Sequence, residues 1–420
     1  MKAMGCLLAT LTGVRRNLRG ASVAVTVSLA GSVAAQVAGP PALSLADAVD
    51  RAMAANPAIM AARLTTAINQ ARLALAGERP NPEVTAEFEK ETPKQGFGVA
   101  VPLELGGKRS KRIAVSQATI RAGEAEIAAT IVQVRNDVRR AYFDVLVADA
   151  RLSVLREMRD LSGRVRDTAQ TRFESGDAPR LEVLQAALAF EASENEAAAA
   201  DGALTAARTR LNALLGQPLS AIQTLSTGLD AGAPVPLDAA LNLARSNNSE
   251  LAVLDRRLDE QRAKLTLAQA LRTPDLIPTA TLTHDAQPEF TYGWRAGLAV
   301  TLPIFATHKA GVLVEQTTLD QLQAQRRAAE ARITGEVTAA GATAEAQRLA
   351  YARYRNVILP QAQQVEQLAQ DSYQLGQTGI SALLQALQAA RDVRLRALDA
   401  MAQLQTALAD LERAIGAPLP

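Results

Sequence analysis

The chain has 420 residues, 48% of them hydrophobic but only 3% aromatic, and a formal net charge of +2. Alanine-rich, aromatic-poor sequence suits long, closely packed helices better than a thick globular core, and near-balanced charge carries no polycation signature for nucleic acid. The single cysteine, Cys6, sits in a segment expected to be removed, which excludes disulfides, thiolate metal sites and thiol catalysis from the mature chain.

The N-terminus places Lys2, Arg15, Arg16 and Arg19 ahead of an uncharged run, Ala21 to Ala35, that ends Ser32-Val33-Ala34-Ala35. This reads as a secretory signal peptide, residues 1–35, cleaved after Ala35. The run is shorter than the ~20 residues that span a bilayer as a helix. No later uncharged apolar stretch reaches that length, so membrane residence would have to come from β-strands.

From Pro41 onward the chain reads as an internal duplication. Leu45-Ala46-Asp47-Ala48 through Asn56-Pro57-Ala58-Ile59 matches Leu237-Asp238-Ala239-Ala240 through Asn248-Ser249-Glu250-Leu251. Phe173, Gly176, Leu184, Gln185 and Ala186 match Tyr373, Gly376, Leu384, Gln385 and Ala386, and Leu215-Gly216-Gln217-Pro218-Leu219 matches Ile415-Gly416-Ala417-Pro418-Leu419. So long a period indicates a duplicated unit and not a solenoid of short repeats. The expected units are residues 36–225 and 226–420, with helices over 44–78, 109–175 and 179–215 in the first and 236–272, 307–375 and 379–415 in the second.

The run Arg109 to Ser175 contains no proline and only two glycines, Gly123 and Gly163. It far exceeds the usual ~11–12 residues of a globular helix. Ile113, Ile120, Ile127, Ile131, Val134, Val138, Ala141, Val145, Ala148, Leu152 and Leu155 step by threes and fours, with Gln117 and Glu124 breaking the seam near its start. At ~1.5 Å per residue the helix is about 100 Å long and must lie along other helices. Gly176 suits a left-handed C′ position, with Asp177 placed to cap the helix after Pro179; Gly376 and Thr378 take those parts in the second unit. Pro360 is expected to kink the second long helix.

Two hairpins interrupt the helices, expected over 83–104 and 276–304. Phe290, Tyr292, Trp294, Ala296, Leu298, Val300 and Leu302 alternate with Thr291, Gly293, Arg295, Gly297, Ala299 and Thr301. Phe97, Val99, Val101 and Leu103 alternate with Gly96, Gly98, Ala100 and Pro102, and Val84, Ala86 and Phe88 with Glu83, Thr85, Glu87 and Glu89. The strand around Thr279 to His284 alternates weakly. Such two-faced, aromatic-bearing strands fit a transmembrane β-segment, with Phe97, Phe290, Tyr292 and Trp294 as membrane-facing aromatics. Four strands cannot close a barrel, so three chains would share one of 12 strands above a ring of helices. A soluble sheet packed on helices, or a periplasmic coiled-coil rod with no pore, is the rival reading from these residues.

The duplicated helix–hairpin–helix layout, the Leu45 to Pro57 helix start, the turns Phe173-x-x-Gly176 and Tyr373-x-x-Gly376 followed by Leu-Gln-Ala, and Val101-Pro102-Leu103-Glu104-Leu105-Gly106-Gly107-Lys108-Arg109 resemble the TolC-like outer-membrane efflux duct family, the last stretch its heavy-metal branch. The resemblance covers essentially all of the mature chain. It implies a mainly α fold with a small β part: a homotrimeric α-barrel continuous with a 12-stranded β-barrel, located in the outer membrane and extending into the periplasm. It also implies a passive exit duct for metal ions or drugs, fed by an inner-membrane RND-type pump through a periplasmic adaptor (membrane fusion) protein. A type I secretion duct is the alternative within the class. Gly176, Asp177, Arg180, Glu182, Gly376, Gln377 and Gln385 would then form the periplasmic tip, where the pore closes and the adaptor docks. Some members ring this tip with acidic residues; here Glu182 has that position in the first unit, whereas Ala382 and Gln385 stand in the second.

No residue pattern supports catalysis, a cofactor or a bound metal. Gly106-Gly107-Lys108 lacks the rest of a P-loop and reads as a turn into the long helix. His284 and His308, the only histidines, have no carboxylates at ligand spacing. Met53, Met60, Met158 and Met401 are scattered and read as helix packing.

Overall fold

The computed structural model describes residues 42–419 apart from 227, 229–233, 287 and 289. The expected leader, 1–35, lies outside the described residues. Helix α1 (Leu45–Ala55) opens with a capping box in which Ser44 accepts from the Asp47 amide and Asp47 accepts from the Ser44 amide. It gives way at Asn56 to α2 (Pro57–Ala76), and the second half repeats the arrangement in α5 (Leu237–Asn247) and α6 (Ser249–Ala270). The single helices expected over 44–78 and 236–272 are thus each two. Asn56 and Asn248 are extended at ψ 125° and 121°, and each caps the helix that follows with its own side-chain oxygen. Proline 57 disfavours helical backbone at Asn56, and an asparagine offers its neighbours' amides an alternative to the helix ladder.

The same two asparagines close each half. Both are buried, and their side-chain amides donate to Leu214 O (3.0 Å) and Ala414 O (2.9 Å), the last turns of α4 (Arg180–Leu214) and α9 (Ile380–Ile415). The glycines that follow have positive φ, 64° at Gly216 and 80° at Gly416. A Cβ on Gly416 would stand 2.3 Å from Asn247 O, so no other residue lets the chains approach so closely.

Helix α3 (Lys108–Glu174) is continuous for 67 residues. From Val134 its seam is buried apart from half-buried Ala148: Val134, Val138, Ala141, Val145, Leu152 and Leu155 form one core with α1 and with Ala197, Ala200, Leu204, Ala207 and Leu211 of α4. Nearer its start Ile113, Ile120 and Ile127 are only half-buried, and Ala118, Ala122 and Gly123 are buried in their place. Small side chains let neighbouring helices come close: a Cβ on Gly123 would lie 3.0 Å from the Asn69 side chain of α2. A buried ion pair, Arg139 to Glu412 at 2.6 Å, ties α3 to α9, with Asn136 donating to Ala409 O beside it.

The second long helix is not continuous. α7 (Lys309–Arg353) passes through a five-residue π turn, Tyr354–Ile358, into α8 (Leu359–Gln374), whose first turn holds Pro360. The expected disturbance therefore falls before the proline. The wider turn relieves the clash between a proline ring and the carbonyl four residues back.

Strands β1 (Glu83–Phe88), β2 (Gln95–Ala100), β3 (Leu276–Ala286) and β4 (Phe290–Val300) form one antiparallel sheet in the order β1-β2-β3-β4. The β2–β3 pairing joins the two halves of the chain. The molecule is thus mainly helical with a small four-stranded sheet.

Candidate functional site

The residues singled out from the sequence fall in two regions. In the first, the register of the sheet sorts its side chains. Ala86, Phe97, Leu282 and Trp294 stand in one row, and Val84, Val99, Ala280 and Ala296 in the next row on the same face. Between them lie Thr85, Gly98, Thr281 and Arg295, and on the other side of the first row lie Glu87, Gly96, Thr283 and Gly293. Strand β3, whose alternation is weak alone, falls into line with its neighbours. The apolar face is bare, with Trp294 82% exposed and Phe88, Tyr292 and Leu298 also exposed, while Gly96, Gly98 and Thr283 on the other face are buried. Over β2 and β3 the small and polar face is therefore the more covered one. It tolerates little bulk, since a Cβ on Gly98 would meet Thr85 Oγ1 at 2.5 Å and one on Gly297 would meet Thr279 Oγ1 at 2.7 Å. Of the aromatics expected on the apolar face, Phe97, Tyr292 and Trp294 are on it and exposed, and Phe290 has the matching register opposite Ala286.

The second region is the end of the molecule where α3 turns into α4 and α8 into α9. Both turns are built alike. Gly176 (φ 85°) donates to Phe173 O and Asp177 to Arg172 O; Gly376 (φ 70°) donates to Tyr373 O and Gln377 to Ser372 O. The capping assigned to Asp177 and Thr378 is not observed. The positions ahead of α4 and α9 are Pro179 and Gly379 with no side-chain cap, and Asp177 instead accepts from the Ser175 hydroxyl at 3.0 Å. The carboxylate is drawn back toward its own turn, which leaves it no reach to the next helix.

Glu182, in the first turn of α4, is half-buried and accepts a hydrogen bond from the Tyr373 hydroxyl of α8 at 3.3 Å. Tyr373 is 2% exposed and lies under the guanidinium of Arg172, 4.9 Å from its ring centroid. Burial, and then the negative charge of Glu182, push the phenol above its ordinary pKa. Around this contact Met158, Leu161, Val165 and Ala169 of α3 and Ala186 of α4 pack with Tyr373, Ile380, Leu383 and Leu387. The structure thus brings Glu182 to the opposite hairpin, while Arg180, Gln377 and Gln385 remain exposed outside the contact. Arg172 was not singled out from sequence, and Tyr373 only as the counterpart of Phe173. The signal was there: at matched positions the second unit has a hydroxyl and the first does not.

A chain in which two helical hairpins meet in a polar tip at one end, and share a two-faced antiparallel sheet with free edges at the other, has the makings of a channel protein whose membrane part is a β-barrel. The outer membrane efflux protein family model matches residues 48–217 and 240–417, and the chain belongs to that family. The resemblance drawn from the sequence therefore holds.

Among characterised relatives, the cobalt-zinc-cadmium resistance protein CzcC of Cupriavidus metallidurans is 25% identical over 384 residues, 91% of either chain. The nickel-cobalt-cadmium resistance protein NccC of Alcaligenes xylosoxydans xylosoxydans is 26% identical over 338 residues, 76% of this chain and 74% of the relative. Of solved structures, that of CusC, described as forming a transmembrane channel, aligns with a TM-score of 0.74 at 17% identity, over 89% of this chain and 92% of that one. The outer membrane protein VceC of Vibrio cholerae aligns with a TM-score of 0.72 at 16% identity, over 90% and 97%. These likenesses establish the fold.

Proposed function

We propose that three copies of this chain close a 12-stranded barrel in the outer membrane, and that the helices beneath it form the periplasmic part of a passive exit duct. The observation that carries this reading is the sheet. Strands β3 and β4 are 11 residues long, the length that crosses a bilayer when tilted, and β1 and β2 are six; the apolar face is exposed, while the small, polar face is more covered over β2 and β3. Four strands have two unpaired edges, which lipid does not tolerate, and copies of the same chain offer matching edges. A coiled-coil rod gives no reason for such a sheet.

At the far end the Glu182–Tyr373 contact, braced by Arg172, holds the two hairpins of one chain together and would keep the tip narrow. Opening would require its rupture. The turns at Gly176 and Gly376, with the exposed Arg180, Gln377 and Gln385, would be presented to a periplasmic adaptor. The duct has no energy source of its own, so an inner-membrane pump would drive transport. The resistance functions in the names of CzcC and NccC favour divalent metal ions as cargo. A strain lacking the gene, challenged with cobalt, nickel, zinc and cadmium, tests this: sensitivity to one or more of these ions, reversed by the intact gene, is expected. Unchanged tolerance to all four with new sensitivity to organic drugs would overturn the choice of cargo.

A further inference from the structure

The small, polar face of the sheet is nearly free of charge in its middle but not at its margins. On β4 it carries Arg295. On β1 it carries Glu83 and Glu87, and the ladder continues past Phe88, since the Glu89 amide donates to Lys94 O at 3.0 Å, which keeps Glu89 on the same face. Lys94 is already paired with Asp285 at 3.0 Å. Arg295, Glu87, Glu89 and Glu91 are exposed and, among the described residues, form no ion pair or side-chain hydrogen bond within their own chain. Opposite charges therefore stand on the two free edges of one sheet.

The slant of the sheet decides which of these charges would meet. Glu83, Ala100, Thr279 and Gly297 lie side by side in one row. From that row the chain runs seven residues to the helix at Ala76, eight to Lys108, nine to Ala270 and twelve to Lys309. The connecting segment thus lengthens from β1 to β4, in the sense of the stagger that tilted strands need to close a barrel. A second copy's β1 begins again at helix level, so it meets β4 about four to six residues out of register with the row. Arg295, level with Thr85 of its own chain, then faces Glu89 or Glu91 of the neighbouring copy. Strands β1 and β4 run in opposite directions, so this seam is antiparallel like the other three pairings.

We infer that Arg295 forms an ion pair with Glu89 or Glu91 of a second copy of this chain across the β4–β1 seam, on the lumenal face, and that this pair sets the register in which copies join. The inference rests on the shared-barrel reading above. A reversed charge at this position would face like charges across the seam, which destabilises a cross-strand pair.

The test compares the temperature at which the detergent-extracted oligomer dissociates on semi-native gels for the intact chain, Arg295→Glu, Glu89→Arg with Glu91→Arg, and all three changes together. Both partial variants should dissociate about 2–4 °C lower or more, and the triple variant should recover most of the loss. A triple variant no more stable than the weaker partial one, or an Arg295→Glu oligomer as stable as the intact one, overturns the pair. An intact chain that is monomeric defeats the barrel reading itself and is told apart from both by its mass. If the charge variants fail to assemble, a Cys6→Ser chain carrying Arg295→Cys with Glu89→Cys, or Arg295→Cys with Glu91→Cys, supplies the answer on oxidation. An interchain disulfide in either supports the seam, and none in both refutes it.

Discussion

Tyr373→Phe removes one oxygen from the tip and leaves the ring buried beneath Arg172. What is lost is the hydrogen bond to Glu182, which at 3.3 Å and with a half-buried acceptor is long and partly hydrated. A bond to a charged group is worth ~1.5–3 kcal/mol when well made and sheltered; here ~0.5–1 kcal/mol per chain is reasonable. In the proposed trimer three such bonds give roughly 1.5–3 kcal/mol, or about 10–150-fold in the ratio of closed to open tips. Single-channel recording in planar bilayers reads this directly. The variant should spend more time in its higher-conductance state, and Glu182→Gln, whose amide oxygen can still accept, should have a smaller effect. Tyr373→Phe indistinguishable from the intact channel would remove the hydroxyl from the closing mechanism and refute the reasoning.

Alkali should act on the same contact. The folded tip favours the neutral phenol, so its contribution persists below the free-tyrosine pKa of about 10 and is lost as pH rises beyond the raised folded value; channel opening should increase there, and not in Tyr373→Phe. Glu412→Ala leaves Arg139 buried beside an empty site and should cost ~3–5 kcal/mol, read as a lower unfolding midpoint. Asp410→Ala, which removes a partly exposed partner of Arg140, should cost under ~1 kcal/mol. Leu298→Arg sets a charge on the apolar face of β4 at a cost of ~2–4 kcal/mol near the bilayer midplane. It should cut the amount recovered in outer-membrane fractions far more than Ala299→Arg on the opposite face, and equal recovery would mean the faces are misassigned. Gly416→Ala should block folding through its clash with Asn247 O, whereas Gly202→Ala, with open space around it, should stabilise α4 by ~0.5–1 kcal/mol.

What the sequence discloses is what local periodicity encodes. Alternation along 290–302 is visible in one strand because a strand's two faces are set by the backbone itself. The seam of α3 from Val134 onward is visible for the same reason. Nearer its start, hydrophobicity points to Ile113 and Ile120, whereas close approach of helices selects Ala118, Ala122 and Gly123, whose virtue is size. The break at Asn56 is signalled by Pro57 alone, and its counterpart at Asn248, with no proline after it, is hidden. Their amides answer to Leu214 and Ala414, carbonyls 158 and 166 residues away. Asp177 has the sequence of a helix cap but its turn offers Ser175 first, a choice only geometry makes. Glu182 was legible as a charge at the tip, while its tyrosine partner lies 191 residues distant on another helix.

On the proposed reading this chain is one third of a duct. Native mass measurement of the complex, extracted from outer membranes in mild detergent, tests it most directly. A particle containing three copies and no free monomer is expected; a monomer or dimer, or recovery of the protein from the soluble periplasm, would refute the shared barrel.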